Sequence, residues 1–439
     1  MNAHRLLLIL GLASAMPAAA GAQEASRRCQ LNLDHADRGY ADGNNYFASG
    51  DVQISCKGGS VHMRSDSLAS YASQIVHFVG NVRYEDSTMT MDAERGTYVR
   101  AGERWEARGK VLTRNLRNGS TLKGPSLDYY RAIPGERDTL EVYAIGRPTI
   151  SYVTLDSAGQ PREPYLIVGD RVRMKGEDRV WAGGKVTIDR SDFAARADSM
   201  RLDQGAGQDG TLLRGAEVRG LGTDTFALTG RRIDLRLEQS ELTYVVAKDS
   251  SHGVSREWDI VADTLALDIN RQKIEQTLAW GNSTRPHAVS VTYEILADSL
   301  ALDSPAQVLT EARAFGKAWV ASQADTATRE RDWLVGDSVT AQFARQDSAG
   351  KPRTVLSRVD ARHEARSYYQ VHDAARPGRP SLNYARGDRI VVVMRTDSIG
   401  GVDRVELRGQ VDGVQLEPVT TAARDTTPAK PGQAPAVPR

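Results

Sequence analysis

Three residue patterns in this 439-residue chain have types and spacings that could carry chemistry. Gly205-Ala206-Gly207-Gln208-Asp209-Gly210 has the glycine spacing of a dinucleotide-binding turn. Such a turn works where it closes a strand and opens a helix, because the helix N-terminus holds the pyrophosphate. Here Met200-Arg201-Leu202 precedes it and Thr211-Leu212-Leu213-Arg214 follows, both strand-like, so the glycines predict a hairpin loop. The histidines His4, His35, His62, His77, His252, His287, His363 and His372 are scattered. None pairs with Glu at the helical spacing of a zinc hydrolase, and His62 with His77 suggests a surface cross-strand pair. The third pattern is acid next to hydroxyl, as in Asp66-Ser67, Asp198-Ser199 and Asp298-Ser299. A glycosidase needs two carboxylates at one bond, and a serine nucleophile needs a poised base and an oxyanion hole. These acids recur singly along the chain, so no enzyme, metal or cofactor follows from them. Asn118-Gly119-Ser120 is a turn signal between strand-like runs.

The elements that would position such residues are set by composition and patterning. Lys and Arg number 57 against 56 Asp and Glu, a net charge of +1. That balance argues against nucleic-acid binding, which needs a basic excess to neutralise phosphates. At 40% hydrophobic and 26% charged residues the chain is not disordered in composition, and at 6% aromatic it is poor in pocket-forming anchors. Met1 to Ala22 reads as a secretory signal: Arg5, the apolar run Leu6 to Ala13, and the small-residue site Ala20-Gly21-Ala22. The run is short for a membrane span, although an uncleaved anchor is the rival reading. Cys29 and Cys56 are too few for a disulfide scaffold or a four-thiolate metal site. In an exported chain they are expected to pair as a disulfide, the alternative being two free thiols.

From Asp37 to Leu416 the patterning is that of β-strands. Val289-Ser290-Val291-Thr292-Tyr293-Glu294-Ile295 alternates strictly, the period of a half-buried strand, and Ile233-Asp234-Leu235-Arg236-Leu237 does the same. Two marks interleave along this body. One is small-acid-hydroxyl-apolar: Ser65-Asp66-Ser67-Leu68, Ala197-Asp198-Ser199-Met200, Ala262-Asp263-Thr264-Leu265, Ala297-Asp298-Ser299-Leu300 and Gly336-Asp337-Ser338-Val339. The other is Gly-polar-apolar: Gly80-Asn81-Val82, Gly109-Lys110-Val111, Gly184-Lys185-Val186, Gly316-Lys317-Ala318 and Gly409-Gln410-Val411. At the first mark the apolar parity switches, from Phe193 and Ala195 to Met200 and Leu202, or from Tyr293 and Ile295 to Leu300 and Leu302. A strand that keeps one face apolar through such a switch must bend or bulge there. At Asp337 the apolar residues Trp333, Val335, Val339 and Phe343 share parity, which predicts a straight strand. Beyond the 1–22 signal, the divisions are a 23–50 lead-in, repeat regions at 51–165 and 166–330, a 331–417 repeat region or cap, and a disordered Pro-rich tail at 418–439.

This order of strand, acid-hydroxyl corner, strand and Gly-x-Val rung resembles the OstA-like family. Asp51 to Tyr130 carries it most clearly, with Gly80-Asn81-Val82, Met91-Asp92-Ala93-Glu94, Gly109-Lys110-Val111 and Leu122-Lys123-Gly124-Pro125-Ser126-Leu127 in sequence; Val172 to Val320 is a second such stretch. The family includes the periplasmic bridge protein of lipopolysaccharide transport and the soluble N-terminal domain of its outer-membrane partner. The resemblance implies an all-β, elongated, twisted V-shaped β-jellyroll whose apolar groove shields lipid acyl chains. It also implies a periplasmic location associated with outer-membrane assembly, and end-to-end strand addition to other OstA-like proteins or to further copies of this chain. This chain is much longer than the usual bridge protein, and the expected stack is on the order of 70 Å at ~4.8 Å per rung. It shows neither the aromatic girdles of a membrane barrel nor an N-terminal span like that of the inner-membrane member.

Groove-wall candidates are the apolar residues beside the corners: Phe78, Val82, Tyr84, Met200, Leu202, Ile233, Leu235, Leu265, Leu267, Tyr293, Ile295, Leu300 and Leu302. The plain alternative is that they pack a closed core. On the first reading the protein is a non-enzymatic lipid-carrying scaffold without cofactors. On the second it is a structural β-solenoid or adhesin without cargo. A carbohydrate-active solenoid would need carboxylates gathered in one external cleft.

Overall fold

A computed structural model describes residues 29–418 apart from 58, 206–207, 223, 326–327, 349–350, 373–378 and 396–401. The Met1–Ala22 signal segment lies outside the described residues, as does the tail beyond Pro418. The strand Ile75–Glu85 shows how the chain is built. Val76 and Phe78 point inward, then Val82 and Tyr84, while the residues between them face out. Between these halves Gly80 has φ +79° and Asn81 φ +46°. Two successive left-handed residues turn the strand out of plane, and the first tolerates this because it lacks a Cβ. The ladder registers the corner directly. Arg64 pairs with Arg83 and Ser67 with Val79, so the glycine-bearing strand holds one residue more than its neighbour.

The device recurs. Gly50-Asp51, Gly109-Lys110, Gly184-Lys185 and Gly316-Lys317 are left-handed pairs, and Arg214-Gly215, Asp249-Ser250 and His363-Glu364 achieve the same turn with other residues. Two acids of the first mark, Asp66 and Asp298, sit opposite glycines of the second, while Asp198 meets Arg214. A Cβ at Gly80 would lie 2.2 Å from Asp66 Oδ2, and Glu94, Asp170, Asp298 and Asp388 crowd Gly109, Gly184, Gly316 and Gly409 in the same way. The backbone N–H of Asp170 donates to the Gly184 carbonyl at 3.0 Å, and that of Asp298 to Gly316 at 3.1 Å. The residue after the glycine often reaches the same acid: Asn81 Nδ2 donates to Asp66 Oδ2 at 3.0 Å and Lys110 pairs with Glu94 at 2.8 Å. At Asp66 with Gly80 and Asp298 with Gly316 the two sequence marks are the two sides of one corner, and elsewhere another acid takes the place of the first mark.

The corners divide a single hydrogen-bonded sheet of 28 strands among the described residues into two layers. The first layer holds the segments 67–71, 75–79, 95–99 and 104–108, and the second holds 62–64, 82–85 and 111–114. Thr121–Tyr130 makes the division plain, pairing through Ser126–Tyr130 with Glu141–Ile145 and through Thr121–Lys123 with Thr149–Tyr152. The layers face each other across one apolar core. Tyr84 of the second layer lies 5.1 Å from Trp105 and 5.8 Å from Tyr129 of the first, centroid to centroid. That core runs unbroken from Cys29 to Ile390. No interruption of the ladder falls at 165/166 or 330/331. Two single 3-10 turns, Arg100–Gly102 and Pro305–Gln307, are the helical elements among the described residues.

Both ends of the ladder carry open edges. Leu31–His35 and Arg38–Asp42 pair with Asn45–Cys56, and Val402–Arg408 and Asp412–Leu416 pair with Ser381–Met394; none of the four has a second partner among the described residues. Cys29 and Cys56 are joined by a disulfide, with Cα atoms 5.1 Å apart, which ties the lead-in to the first long strand. A crosslink closing a loop of this length stabilises by about 3 to 4 kcal/mol on the chain-entropy account.

Three sequence expectations are corrected. Val289–Ile295 is two strands, His287–Val289 and Tyr293–Leu296, joined by a turn in which the Ser290 hydroxyl accepts the Thr292 and Tyr293 N–H groups. The strand through Asp337 bends like the others: Leu334 and Gly336 are inward before it, Val339 and Ala341 after it. Trp333 faces outward instead, stacked 6.1 Å from Tyr368, which is why its apolar character misled the parity. His62 and His77 are not paired; they sit opposite Glu85 and Ala69. The glycine-rich segment does join a hairpin, Asp203 pairing with Asp209, with residues 206–207 outside the described set.

Two predictions follow from the corners and the last rungs. Gly80→Ala should cost about 1–3 kcal/mol, from left-handed strain plus the clash with Asp66. Adding Asp66→Ala should recover only the steric part, read from urea unfolding midpoints. At the other end the buried Asp360 accepts from Arg389 Nε at 2.9 Å and from Arg362 at 3.0 Å. Burial alone would raise its pKa, but these arginines outweigh it and hold the carboxyl at about 2. A depressed carboxyl stabilises fully above its unfolded pKa near 4 and loses that contribution as pH falls toward 2. Asp360→Asn should therefore cost about 1–2 kcal/mol at pH 7, allowing for partly exposed arginines. In pH-dependent melting, its difference from wild type should vanish between about pH 4 and 2.

Candidate functional site

Opposite the corners, the two layers have free margins, and what lies between those margins changes along the chain. In the N-terminal part, buried phenols bridge them. Tyr84 and Tyr129 both donate to Asp86 Oδ2, at 2.8 and 2.9 Å, one from each layer. Burial, reinforced by neighbouring charge, holds both phenol pKa values well above the ordinary range, so both remain protonated donors. Asp86 also accepts the N–H groups of Thr88 and Met89, which fixes the loop that presents it. Further along, Tyr152 donates to the Glu177 carbonyl and Tyr165 to the Ser240 carbonyl, both at 2.8 Å, and the Thr154 and Ser240 hydroxyls meet at 2.6 Å. The interior behind these ties is filled by large rings, with Trp105, Tyr129, Tyr152, Tyr165, Phe78 and Phe193 among the most deeply buried side chains.

A last tie, from the Ile274 N–H to Asp224 Oδ2 at 3.3 Å, follows, and past it the margins part. One lip, from the second layer, consists of the turn Ser255–Trp258 and the turn Ser290–Tyr293. The opposite lip, from the first layer, consists of the segment Pro305–Leu309 with Phe343, Arg345 and Thr354. Between them lies an open cleft of about 700 Å³. Trp258, Tyr293 and Phe343 line its floor and also roof a smaller apolar void of about 30 Å³ below. That void is walled by Ile295, Leu300, Ala312, Ala314, Val320, Val339 and Ala341. Interiors normally pack without such space. A void of about 40 Å³ between Met89, Leu122, Val142 and Ile150 shows that the N-terminal part has such space too, so what sets this stretch apart is the open cleft above. The Trp258 turn is held by Ser255, whose backbone N–H donates to the Trp258 carbonyl at 2.8 Å and whose hydroxyl accepts the Trp258 N–H at 3.1 Å. Val291 stands at the tip of the neighbouring turn, 89% exposed.

The groove-wall candidates separate into three groups. Phe78, Val82 and Tyr84 are buried in the ring-filled N-terminal part. Met200, Leu202, Ile233, Leu235, Leu265 and Leu267 are buried in the middle of the same core. Ile295 and Leu300 wall the small void, Leu302 lines a recess of about 150 Å³ beside the cleft, and Tyr293 lines both void and cleft. The corner marks did not point to Trp258, Leu309 or Leu356. Trp258, an aromatic just before a strand, was the available signal. Among the described residues no cluster of three or more His, Cys, Asp or Glu could hold a metal ion, and no helix is long and apolar enough to cross a membrane.

The phenol tie makes a stability prediction. Asp86→Ala strands two buried hydroxyls and two turn N–H groups, and should cost about 2–4 kcal/mol at roughly 1–3 per buried orphan, partly relieved by water. In a Tyr84→Phe, Tyr129→Phe background the same substitution should cost clearly less, read from thermal unfolding as a coupling energy.

No protein-family model matches this chain, and no curated protein matches it either.

Proposed function

We propose that the chain is an exported scaffold that shields acyl chains of lipopolysaccharide, or of a similar multi-acyl lipid, from water on the way to the outer membrane. The observation that carries this reading is the open cleft of about 700 Å³ between the two layers, floored by Trp258, Tyr293 and Phe343 over the apolar core. Each methylene moved from water into such a site gains about 0.8 kcal/mol. The gain is non-directional, so a chain is held firmly yet can slide. No reaction is required of the protein, and directional transport draws its energy from a partner.

On this reading the two layers, hinged at the row of corners, form a twisted V-shaped jellyroll. With about twenty rungs at ~4.8 Å, its contour is on the order of 100 Å, longer than the 70 Å reckoned from strand lengths alone. The open edges at Leu31–Asp42 and Val402–Leu416 suit strand addition by other OstA-like proteins of the transport complexes or by further copies of the chain. The resemblance at the corners supports the periplasm as the place of action.

The ring-filled stretch behind Tyr84, Tyr129 and Tyr165 favours a second reading, a structural β-solenoid whose core carries no cargo. Photocrosslinking in cells separates the two. A photoreactive phenylalanine analogue at Tyr293 or Phe343 should capture lipid identifiable by mass spectrometry, and the same analogue at Phe78 should capture none. Absence of lipid at all three positions would leave the solenoid reading.

A further inference from the structure

Residues 419–439 carry a pattern that the ladder does not use. Pro428-Ala429-Lys430-Pro431 and Pro435-Ala436-Val437-Pro438 each set two prolines three residues apart. A polyproline II helix has three residues per turn, so each pair would present both rings on one face. Segments of this kind dock in aromatic-lined grooves, at a low cost in entropy because proline already restricts the chain. The cleft between the lips is such a groove. In a chain only 6% aromatic, Trp258, Tyr293 and Phe343 line this one opening. Its rim carries Glu257, and the adjoining recess adds Asp224, two carboxylates there against the single guanidinium of Arg256. Lys430 and Arg439 stand next to the prolines and supply the opposite charge.

The chain also leaves the ladder on the right margin. Asp412–Leu416 pairs with the second-layer half of Ser381–Met394, Leu416 opposite Leu382, so it ends at the free margin rather than at the corner. The Ser381 hydroxyl donates to Glu417 there at 2.6 Å. Tyr293 stands on the same second-layer margin, opposite Ser322. From Leu416 to Tyr293 the ladder takes five steps, through Ser381–Met394, Lys351–Val371, Trp333–Ser348 and Glu311–Ser322. At ~4.8 Å per step that is roughly 24 Å. The ten residues from Val419 to Pro428 can span about 33 Å at ~3.3 Å each, which brings the prolines within reach of the cleft. We propose that the cleft is a polyproline site whose occupant is this chain's own segment 424–439, with proline faces on Trp258, Tyr293 and Phe343 and a basic side chain at Glu257. This goes beyond the lipid-shielding reading and does not depend on it: the seated segment covers the floor, and a lipid that enters displaces it.

The test is hydrogen exchange on the dilute, lipid-free full chain, compared with a full-length variant carrying Pro428→Ala, Pro431→Ala, Pro435→Ala and Pro438→Ala. In the variant, exchange at Ser255–Trp258 and Ser290–Tyr293 should rise at least about threefold, with Asp86–Met89 unchanged. A synthetic peptide of residues 424–439 added to the variant should restore the protection, and the same peptide with its prolines replaced by alanine should not. Lys430→Glu with Arg439→Glu should also raise exchange at the lips, and adding Glu257→Lys should reverse that rise. Circular dichroism melts of each variant check folding. Equal exchange in the wild-type and four-proline chains would overturn tail docking and leave lipid shielding untouched, since crosslinking at Tyr293 and Phe343 tests that separately. Failure of the peptide to restore protection would overturn the site as well, the prolines then acting elsewhere. Protection that grows with protein concentration would put the tail of a second copy in the cleft and overturn docking within one chain.

Discussion

The architecture depends on a backbone constraint repeated along the chain: two consecutive residues held at positive φ in the middle of a strand. A strand has period two, so an extra residue would send every later side chain to the wrong face. The corner resolves this by bending the strand as it inserts the residue. Inward positions therefore move from Met63 and Ser65 to Leu68, from Ala195 and Ala197 to Met200, and from Leu334 and Gly336 to Val339, while the core side stays the same. The acids facing Gly80, Gly109, Gly184 and Gly316 fill the space a Cβ would have taken. Because the long strands bend in the same row, two layers form and share one interior.

Identical corners nevertheless produce two kinds of interior. Where the facing positions are Phe78, Tyr84, Trp105 and Tyr129, rings span the gap and their hydroxyls find partners at the margins, so the layers are held together. Beside Ala312, Ala314 and Ala341 the margins instead stand apart around the open cleft, although the void beneath it, about 30 Å³, is no larger than one of about 40 Å³ between Met89, Leu122, Val142 and Ile150 in the N-terminal part. The same hinge thus supports a closed stem, its margins bridged by phenols, and an open pocket. On the proposed reading, that division leaves one place for an apolar guest.

Much of this was legible in the amino acids. The acid-hydroxyl and glycine marks located the bends at Asp66, Asp198 and Asp298, because a corner needs local hydrogen-bonding groups and a permissive backbone. The misreadings have physical causes. Val289 to Ile295 alternates, yet the Ser290 hydroxyl can cap a turn as readily as it can decorate a strand, and here it does the former. Trp333 is apolar, but an outer-face stack with Tyr368 satisfies it. The cleft was not legible, since Arg256, Tyr293, Leu309 and Arg345 are brought together by the approach of two layers and by no spacing along the chain. Nor could the apolar pattern distinguish Phe78, packed among rings, from Tyr293, at an opening.

Hydrogen exchange, followed peptide by peptide with and without a long-chain amphiphile, tests the division between stem and pocket most directly. The account predicts protection confined to the amides of Ser255–Trp258, Ser290–Tyr293 and Pro305–Leu309, with no change at Asp86–Met89 or around Ser240. Protection spread evenly along the ladder, or none at the three lip segments, would contradict it.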